Sequence, residues 1–291
     1  MNMIESLEID RWSGPFPAEA QKSALDALES GKVVFCPNLA FTLSDEETTL
    51  LSSDFASGKA KNISLDPSKG EIRGTAEHSE TERLHGMLRR FSKGTAQLVA
   101  GLFPGYGRGI EQARTSYRPV EIVGRQTSPR KDDKLLHVDA FPSRPTHGRR
   151  ILRVFSNINP AGKARVWHVG EPFEDFARKY VSAVRRPYPL EPSLLAALGI
   201  TKGKRSAYDQ IMLGLHDKGK LDARYQREAP QTEFAFPPGT TWLCYTDQVL
   251  HAAVAGQFAL EQTFHVDIAA MGNSERAPLK VLEKIMGRSL V

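Results

Sequence analysis

Apolar residues along the chain recur at two spacings, and the dominant one changes near residue 105. In AEAQKSALDALESG, Ala24, Leu25 and Leu28 follow the helical period and Gly31 supplies a stop. KVVFCP is a short strand. Ser44 opens SDEETTLLSSDF as an N-cap with acidic residues in the first turn, so a helix starts there. The polar stretch from Ser57 to Ser79 reads as loop. The longest helix then places Leu84, Met87, Leu88, Phe91, Leu98, Val99 and Leu102 at three- and four-residue steps, ending at Pro104–Gly105.

Beyond that point the period shortens to two. TSYRPVEIVG, DKLLHVDAF, RRILRVFSNINP and ARVWHVG read as strands divided by Pro, Gly and Ser turns. The helical period returns in EDFARKYVSAV, PSLLAALG and SAYDQIMLGLHDKG. TEFAFPPGTTWLCYTDQVLHAAVAG and FALEQTFHVDIAAMG resume the strands, and PLKVLEKIMGRSL closes with a short amphipathic helix. No internal repeat, heptad run or low-complexity tract is present. The layout predicts an α+β fold in one domain over 1–291: an N-terminal α/β layer to about 105, a β-sandwich or barrel over about 110–170 and 230–270, and a helical insert over about 171–227. A two-domain cut near residue 105 is the alternative.

The 40% hydrophobic and 25% charged content is that of a globular protein and excludes disorder and fibrous repeats. Cys36 and Cys244 sit in apolar stretches, too few for a disulfide scaffold or zinc cluster, and point to a reducing compartment. MNMIESLEIDRW lacks the marks of a signal peptide. No run approaches the roughly 18 apolar residues of a transmembrane helix. A net charge of +5 is compatible with nucleic acid, an anionic membrane surface, an acidic small molecule, or no partner at all.

Most chemical motifs fail. GYGRG lacks a preceding strand and the full phosphate-loop spacing, and TKGKRS lacks the first P-loop glycine. There is no GxSxG elbow. Basic residues do not interleave with aromatics as a single-strand nucleic-acid platform requires, so no nucleic acid is expected.

One motif survives. In LLHVDAF, His137 and Asp139 leave an extended chain on the same face, with Leu136 and Val138 on the other. An imidazole and a carboxylate suit Fe(II), and a second histidine completes a facial triad with open positions. His251 and His265 are the candidates. In EQTFHVDI, the apolar Phe264, Val266 and Ile268 share one face, taken as inward. His265, Thr263 and Asp267 share the other, whereas Gln262 has the inward parity. His251 is therefore the expected third ligand.

His137, Asp139 and His251 within a β-sandwich resemble the double-stranded β-helix oxygenases that use Fe(II), 2-oxoglutarate and O2. The resemblance implies a jelly-roll, cupin-like core and a cation for the distal carboxylate of 2-oxoglutarate. Many members carry an arginine shortly after the distal histidine; AAVAGQFALEQTF contains none. Arg153, among Leu152, Val154 and Phe155, and Arg118, sharing parity with Val120 and Ile122, are the alternatives, with Gln262 assisting. Asp139 speaks against halogenation, which requires loss of that carboxylate.

More specifically, HVDAFPSRPTHGRRILRVFSNINP, VWHVGEPFEDF and PPGTTWLCYTDQVLHAA resemble the bacterial Kdo hydroxylases. That resemblance implies 3-hydroxylation of 3-deoxy-D-manno-oct-2-ulosonic acid (Kdo) on a lipid A precursor. It also implies a peripheral cytoplasmic enzyme in transient contact with the anionic inner membrane. Arg144, Arg149 and Arg150 are expected to receive carboxylates or phosphates of this glycolipid, and Asn157 its hydroxyls. Competing readings are another 2-oxoglutarate hydroxylase acting on a small molecule or peptide, a non-catalytic cupin-like binding module, and a basic nucleic-acid binder.

Overall fold

The computed structural model describes residues 2–291 apart from 59, 77–79, 186, 187 and 189. The N-terminal layer comprises β1 (Ile4–Ser6), α1 (Ala18–Glu29), β2 (Val33–Cys36), α2 (Asp45–Thr48), β3 (Ile63–Asp66), β4 (Glu71–Arg73) and α3 (Thr81–Leu102). Then follow β5 (Ile110–Arg118), β6 (Arg150–Asn157), β7 (Arg165–Gly170), α4 (Phe173–Tyr180), α5 (Glu191–Ala197), α6 (Ala207–Leu221) and α7 (Ala223–Glu228). The chain closes with β8 (Gln231–Phe236), β9 (Thr241–Tyr245), β10 (His251–Ala255), β11 (Ala259–Val266) and α8 (Pro278–Met286).

The strands form two sheets. The larger runs β1-β2-β9-β6-β11-β5-β3-β4 and the smaller β10-β7-β8. Around β6 and β11 every pairing is antiparallel, the non-sequential order of a jelly roll. Strands from the N-terminal layer extend the large sheet at both edges.

Two sequence expectations change here. The stretch expected as loop between Ser57 and Ser79 holds the hairpin β3–β4, and β3 pairs with β5. Its signal is short: only Ile63 and Leu65 alternate with polar residues, and both are buried against Leu84, Leu88 and Phe91 of α3. Lys59, Glu77, His78 and Ser79 of that stretch lie outside the described residues. DKLLHVDAF is not a continuous strand. It is pinned at His137, bridged to His251, and at Asp139, whose N–H donates to the Thr246 carbonyl at 2.7 Å.

Alternation sorts each strand of the large sheet onto two buried faces. Leu152 and Val154 of β6, Leu243 and Tyr245 of β9 and Phe264 and Val266 of β11 pack against Leu28, Leu98, Val99 and Leu102 of α1 and α3. Phe155, Trp242 and Cys244 face the small sheet, meeting Trp167, Val169 and Phe236. Trp242 stacks on Phe236 at 4.1 Å between centroids and on Phe155 at 5.3 Å. Each such pair adds about 0.5–1.5 kcal/mol to area burial.

The helical insert covers the outside of the small sheet. Phe173 and Phe176 of α4, Met212 and Leu215 of α6 and Leu279 and Leu282 of α8 bury Leu136, Val138, Leu250 and Ala252. Burying each leucine or valine contributes about 1.5–3 kcal/mol. These apolar neighbours lock the residues between them, His137, Asp139 and His251, onto the opposite, interior side.

Candidate metal centre and its cation-lined cavity

His137 and His251 are joined by a two-way backbone bridge of 3.1 and 3.0 Å, and their rings lie 4.6 Å apart. Each Nδ1 meets a backbone carbonyl, of Leu135 at 2.7 Å and Val249 at 2.8 Å. A carbonyl only accepts, so each Nδ1 carries the proton and each Nε2 presents a free lone pair. Burial holds both imidazoles below their ordinary pKa, most strongly His137, which His251 disfavours further. Trp167 stacks on His251 at 5.0 Å.

Asp139 completes the group. One ligand atom from each of His137, Asp139 and His251 lies within 4.8 Å of the other two. Burial alone would raise the Asp139 carboxyl, but Arg153 and the two histidines outweigh it and hold it well below the carboxylate range. Arg153 Nη2 approaches Asp139 Oδ2 at 3.0 Å, an ion contact without hydrogen-bond alignment. Two neutral imidazoles with outward-facing Nε2 and one ionised carboxylate fit a divalent iron-type ion.

Beside this group opens a cavity of about 290 Å³ whose lining includes Arg114, Arg118, Phe141, Arg144, Arg153, Glu261 and His265. Arg144 stands at its exposed rim. The two arginines expected to clamp a carboxylate already share one: Glu261 accepts from Arg118 Nε and Arg153 Nη1, both at 2.8 Å. Burial would raise Glu261, yet the two guanidinium groups keep it low. Arg118 also lies 3.9 Å from Asp133, which pairs with Arg125 at 2.8 Å and Lys61 at 3.6 Å.

Two buried cations have no carboxylate partner among the described residues. Arg165 of β7 is 4% exposed, donates only to the Gly256 carbonyl at 3.3 Å and leaves Nε unpaired. Burial, with Arg118 nearby, lowers its pKa to about 9. Lys220 of α6, also 4% exposed, reaches only the Arg130 carbonyl at 3.4 Å. Burial lowers its pKa as well. Among the described residues, Arg118, Arg125, Arg153, Arg165, Lys61 and Lys220 gather around Asp133, Asp139 and Glu261, with Asp132 and Asp217 further out toward Lys220. Such an excess in a poorly solvated interior favours an anionic ligand. The signal in sequence for Arg165 is its parity with the inward Trp167 in ARVWHVG.

Several expected site residues lie elsewhere. Arg150 is fully buried on the helix-facing side, pairing with Asp247 at 2.8 Å and Gln248 at 2.7 Å and covering the Tyr245 ring at 3.7 Å. It braces the fold and does not reach the cavity. Asn157 ties the end of β6 to the Lys163 and Phe236 carbonyls, both at 3.0 Å, and has no free amide for a sugar. Gln262 is wholly buried on the helix-facing side, bonded to Thr115 at 2.6 Å. Arg149 pairs with Glu111 at 2.5 Å and is partly exposed. His265 lines the cavity, 6.1 Å from Phe141, although parity had turned it outward. The apolar face of β11 packs on the helices, so the polar parity is the one that faces the interior.

Comparison with known proteins agrees with this geometry. Residues 11–289 match the 3-deoxy-D-manno-oct-2-ulosonic acid (Kdo) hydroxylase family. The chain belongs to the Kdo hydroxylase family. Crystal structures of the Kdo hydroxylase KdoO, a non-heme Fe(II) α-ketoglutarate (2-oxoglutarate)-dependent dioxygenase, superpose closely. The complex with α-ketoglutarate and Fe(III) is 50% identical, covering 99% of this chain and 97% of its own, with a TM-score of 0.95. The cobalt(II) complex is 51% identical with the same coverage and a TM-score of 0.96. A further complex holds succinate and Fe(III). No curated protein sequence matches the chain.

Proposed function

We propose that this Kdo hydroxylase family member adds a hydroxyl at carbon 3 of Kdo on a lipid A precursor, using Fe(II), 2-oxoglutarate and O2. The observation that carries the reading is the His137–Asp139–His251 group beside an interior with surplus buried cations. Both cosubstrate and Kdo are carboxylates, so the interior charge matches what it would enclose.

When bound, Fe(II) with 2-oxoglutarate and O2 supplies the oxidation that replaces a C–H bond by C–OH, the cosubstrate leaving as succinate and CO2. His137 and His251 hold Nε2 toward the ion because their Nδ1 protons are committed to Leu135 and Val249. Arg153 bridges Asp139 and Glu261 and keeps the ligand carboxylate ionised and oriented. Arg118, expected from sequence, and the buried, carboxylate-free Arg165 take the distal carboxylate of 2-oxoglutarate in this reading. Arg153, also expected in that role, shares Glu261 with Arg118 but contacts Asp139 as well, and for that reason is given the ligand-orienting role. Arg144 at the rim meets the anionic glycolipid. No helix among the described residues is long and apolar enough to cross a membrane. The glycolipid substrate is consistent with a peripheral position on the cytoplasmic face of the inner membrane.

Incubation with a Kdo-bearing lipid IVA, Fe(II) and 2-oxoglutarate tests the reading. One added oxygen on the lipid and matching succinate are expected; succinate formation without oxygen transfer to Kdo overturns the substrate. Arg165→Met should raise the KM for 2-oxoglutarate at least tenfold with metal retention intact; an unchanged KM removes Arg165 from that role.

A further inference from the structure

Outside the cavity, one surface departs from the rest. Tyr188, Leu190, Leu194, Leu198 and Ile200 are 73, 78, 58, 64 and 55% exposed, five of the eight exposed large hydrophobic residues among those described. They are not scattered. Leu194 lies within α5, Leu190 is its N-cap in a left-handed conformation (φ 67°) and Leu198 its C-cap, so the exposed leucines mark this short helix from end to end. Helix packing explains the buried side of most amphipathic helices; here the apolar ridge meets solvent. Exposed apolar side chains grouped in this way on one short segment mark an interaction site.

The chain that follows is basic. Lys202 and Lys204 are exposed and carry no ion pair among the described residues. Arg185 neutralises Glu191, the acidic residue in the first turn of α5, at 2.7 Å. The combination of an apolar ridge with unpaired lysines is that of an interfacial helix on an anionic membrane.

Position adds the third observation. The Lys202 N–H donates to the Ser143 carbonyl at 2.8 Å, Arg205 donates to the Pro142 carbonyl, and His147 Nε2 lies 2.8 Å from the Lys204 carbonyl. Pro142 and Ser143 line the cavity beside the metal centre. Asp209 holds this loop from α6, accepting from the N–H groups of Thr146 and His147 at 2.7 and 3.1 Å. The ridge is therefore tied to the rim of the site.

We propose that the Leu190–Leu194–Leu198 ridge with Lys202 and Lys204 seats the enzyme on an anionic bilayer, beside the mouth of the catalytic cavity. This rests on the reading of a lipid-borne substrate: a sugar carried on the bilayer surface would enter past Pro142 and Ser143 without leaving its membrane.

Vesicle co-sedimentation without any Kdo tests the surface independently of the reaction. The wild type should bind vesicles of phosphatidylcholine with one-third phosphatidylglycerol, bind pure phosphatidylcholine weakly, and release with salt. Leu194→Asp with Leu198→Asp should lower binding by roughly tenfold or more. Lys202→Gln and Lys204→Gln should each lower it about fivefold on anionic vesicles only. All are exposed positions, and the variants should keep wild-type melting and turnover of a water-soluble Kdo saccharide while losing turnover of vesicle-embedded substrate. Wild-type binding by the leucine variant overturns the proposal, as does failure of the wild type to bind. A wild-type dimer that the same variant dissociates also overturns it, because a second copy would then occupy the ridge. If no Kdo substrate is turned over at all, the reaction reading fails while the vesicle result stands.

Discussion

Replacing Arg150 by methionine distinguishes a residue that braces the fold from one that binds substrate. Its side chain is inaccessible, and Asp247, Gln248, the Met271 sulfur and the Tyr245 ring surround it. Methionine preserves much of the apolar volume but leaves Asp247, 1% exposed, without its counter-ion. Removing one member of a buried pair costs about 3–5 kcal/mol. At about 2.1 cal/mol/K per residue, 291 residues unfold with an entropy near 0.6 kcal/mol/K, so Tm should fall by about 5–8 °C. The loss should depend on pH. Burial pushes the Asp247 carboxyl up, while Arg150 and the Ile151 N–H pull against it; without Arg150, burial dominates further. A carboxyl whose folded pKa exceeds its unfolded value of about 3.9 retains a proton that the unfolded chain has lost, so stability falls as pH rises through that interval. The deficit should therefore be larger at neutral pH than near pH 4. Urea unfolding across pH, with steady-state kinetics on the same protein, measures both. Arg150→Met with Asp247→Asn should recover part of the loss. An unchanged Tm with a raised KM for the Kdo acceptor would refute this account and return Arg150 to the substrate.

Three further outcomes follow from the same geometry. His251→Ala should abolish retention of iron or cobalt after gel filtration, whereas His265→Ala should retain it; metal content by mass spectrometry decides, and the reverse result removes His251 from the centre. Cys36 and Cys244 are buried and their thiols pushed well above the ordinary range, so neither should react with a thiol reagent until the protein is unfolded. Rapid labelling of the native protein would contradict that packing. Ser206→Ala removes the capping box that Ser206 forms with Asp209 at the start of α6 and should cost about 1 kcal/mol in urea unfolding. Because Asp209 also holds the 146–147 turn, the same variant should raise the KM for Kdo more than that for 2-oxoglutarate.

How much of this was legible in the residues differs by element. Long periodic segments such as α3 were plain because seven apolar positions repeat over six turns, enough to outweigh local exceptions. The β3–β4 hairpin was not, since two apolar residues in a polar stretch carry no period and gain meaning only by burial against α3. The HxD spacing and the apolar Leu136 and Val138 around it were sufficient to place His137 and Asp139 on one side. His251 joins them, and His265 stays apart from the group although its parity faces the cavity interior.

By itself, then, the sequence determined which residues share a face: parity in β6, β9 and β11 groups them correctly. Only the tertiary structure decided what each face meets. The large sheet is buried on both sides, by helices on one and by the small sheet on the other, so the apolar parity of β11 marked the helix layer and not the His137–Asp139–His251 side. For the same reason Arg150 and Arg153, three residues apart on β6, part company: one braces Asp247 beneath the helices, and the other holds Asp139 inside the barrel. Charge followed the same division. The sequence supplied a modest surplus of +5; folding concentrated part of it in an interior where water is scarce, and there unpaired cations favour anionic ligands.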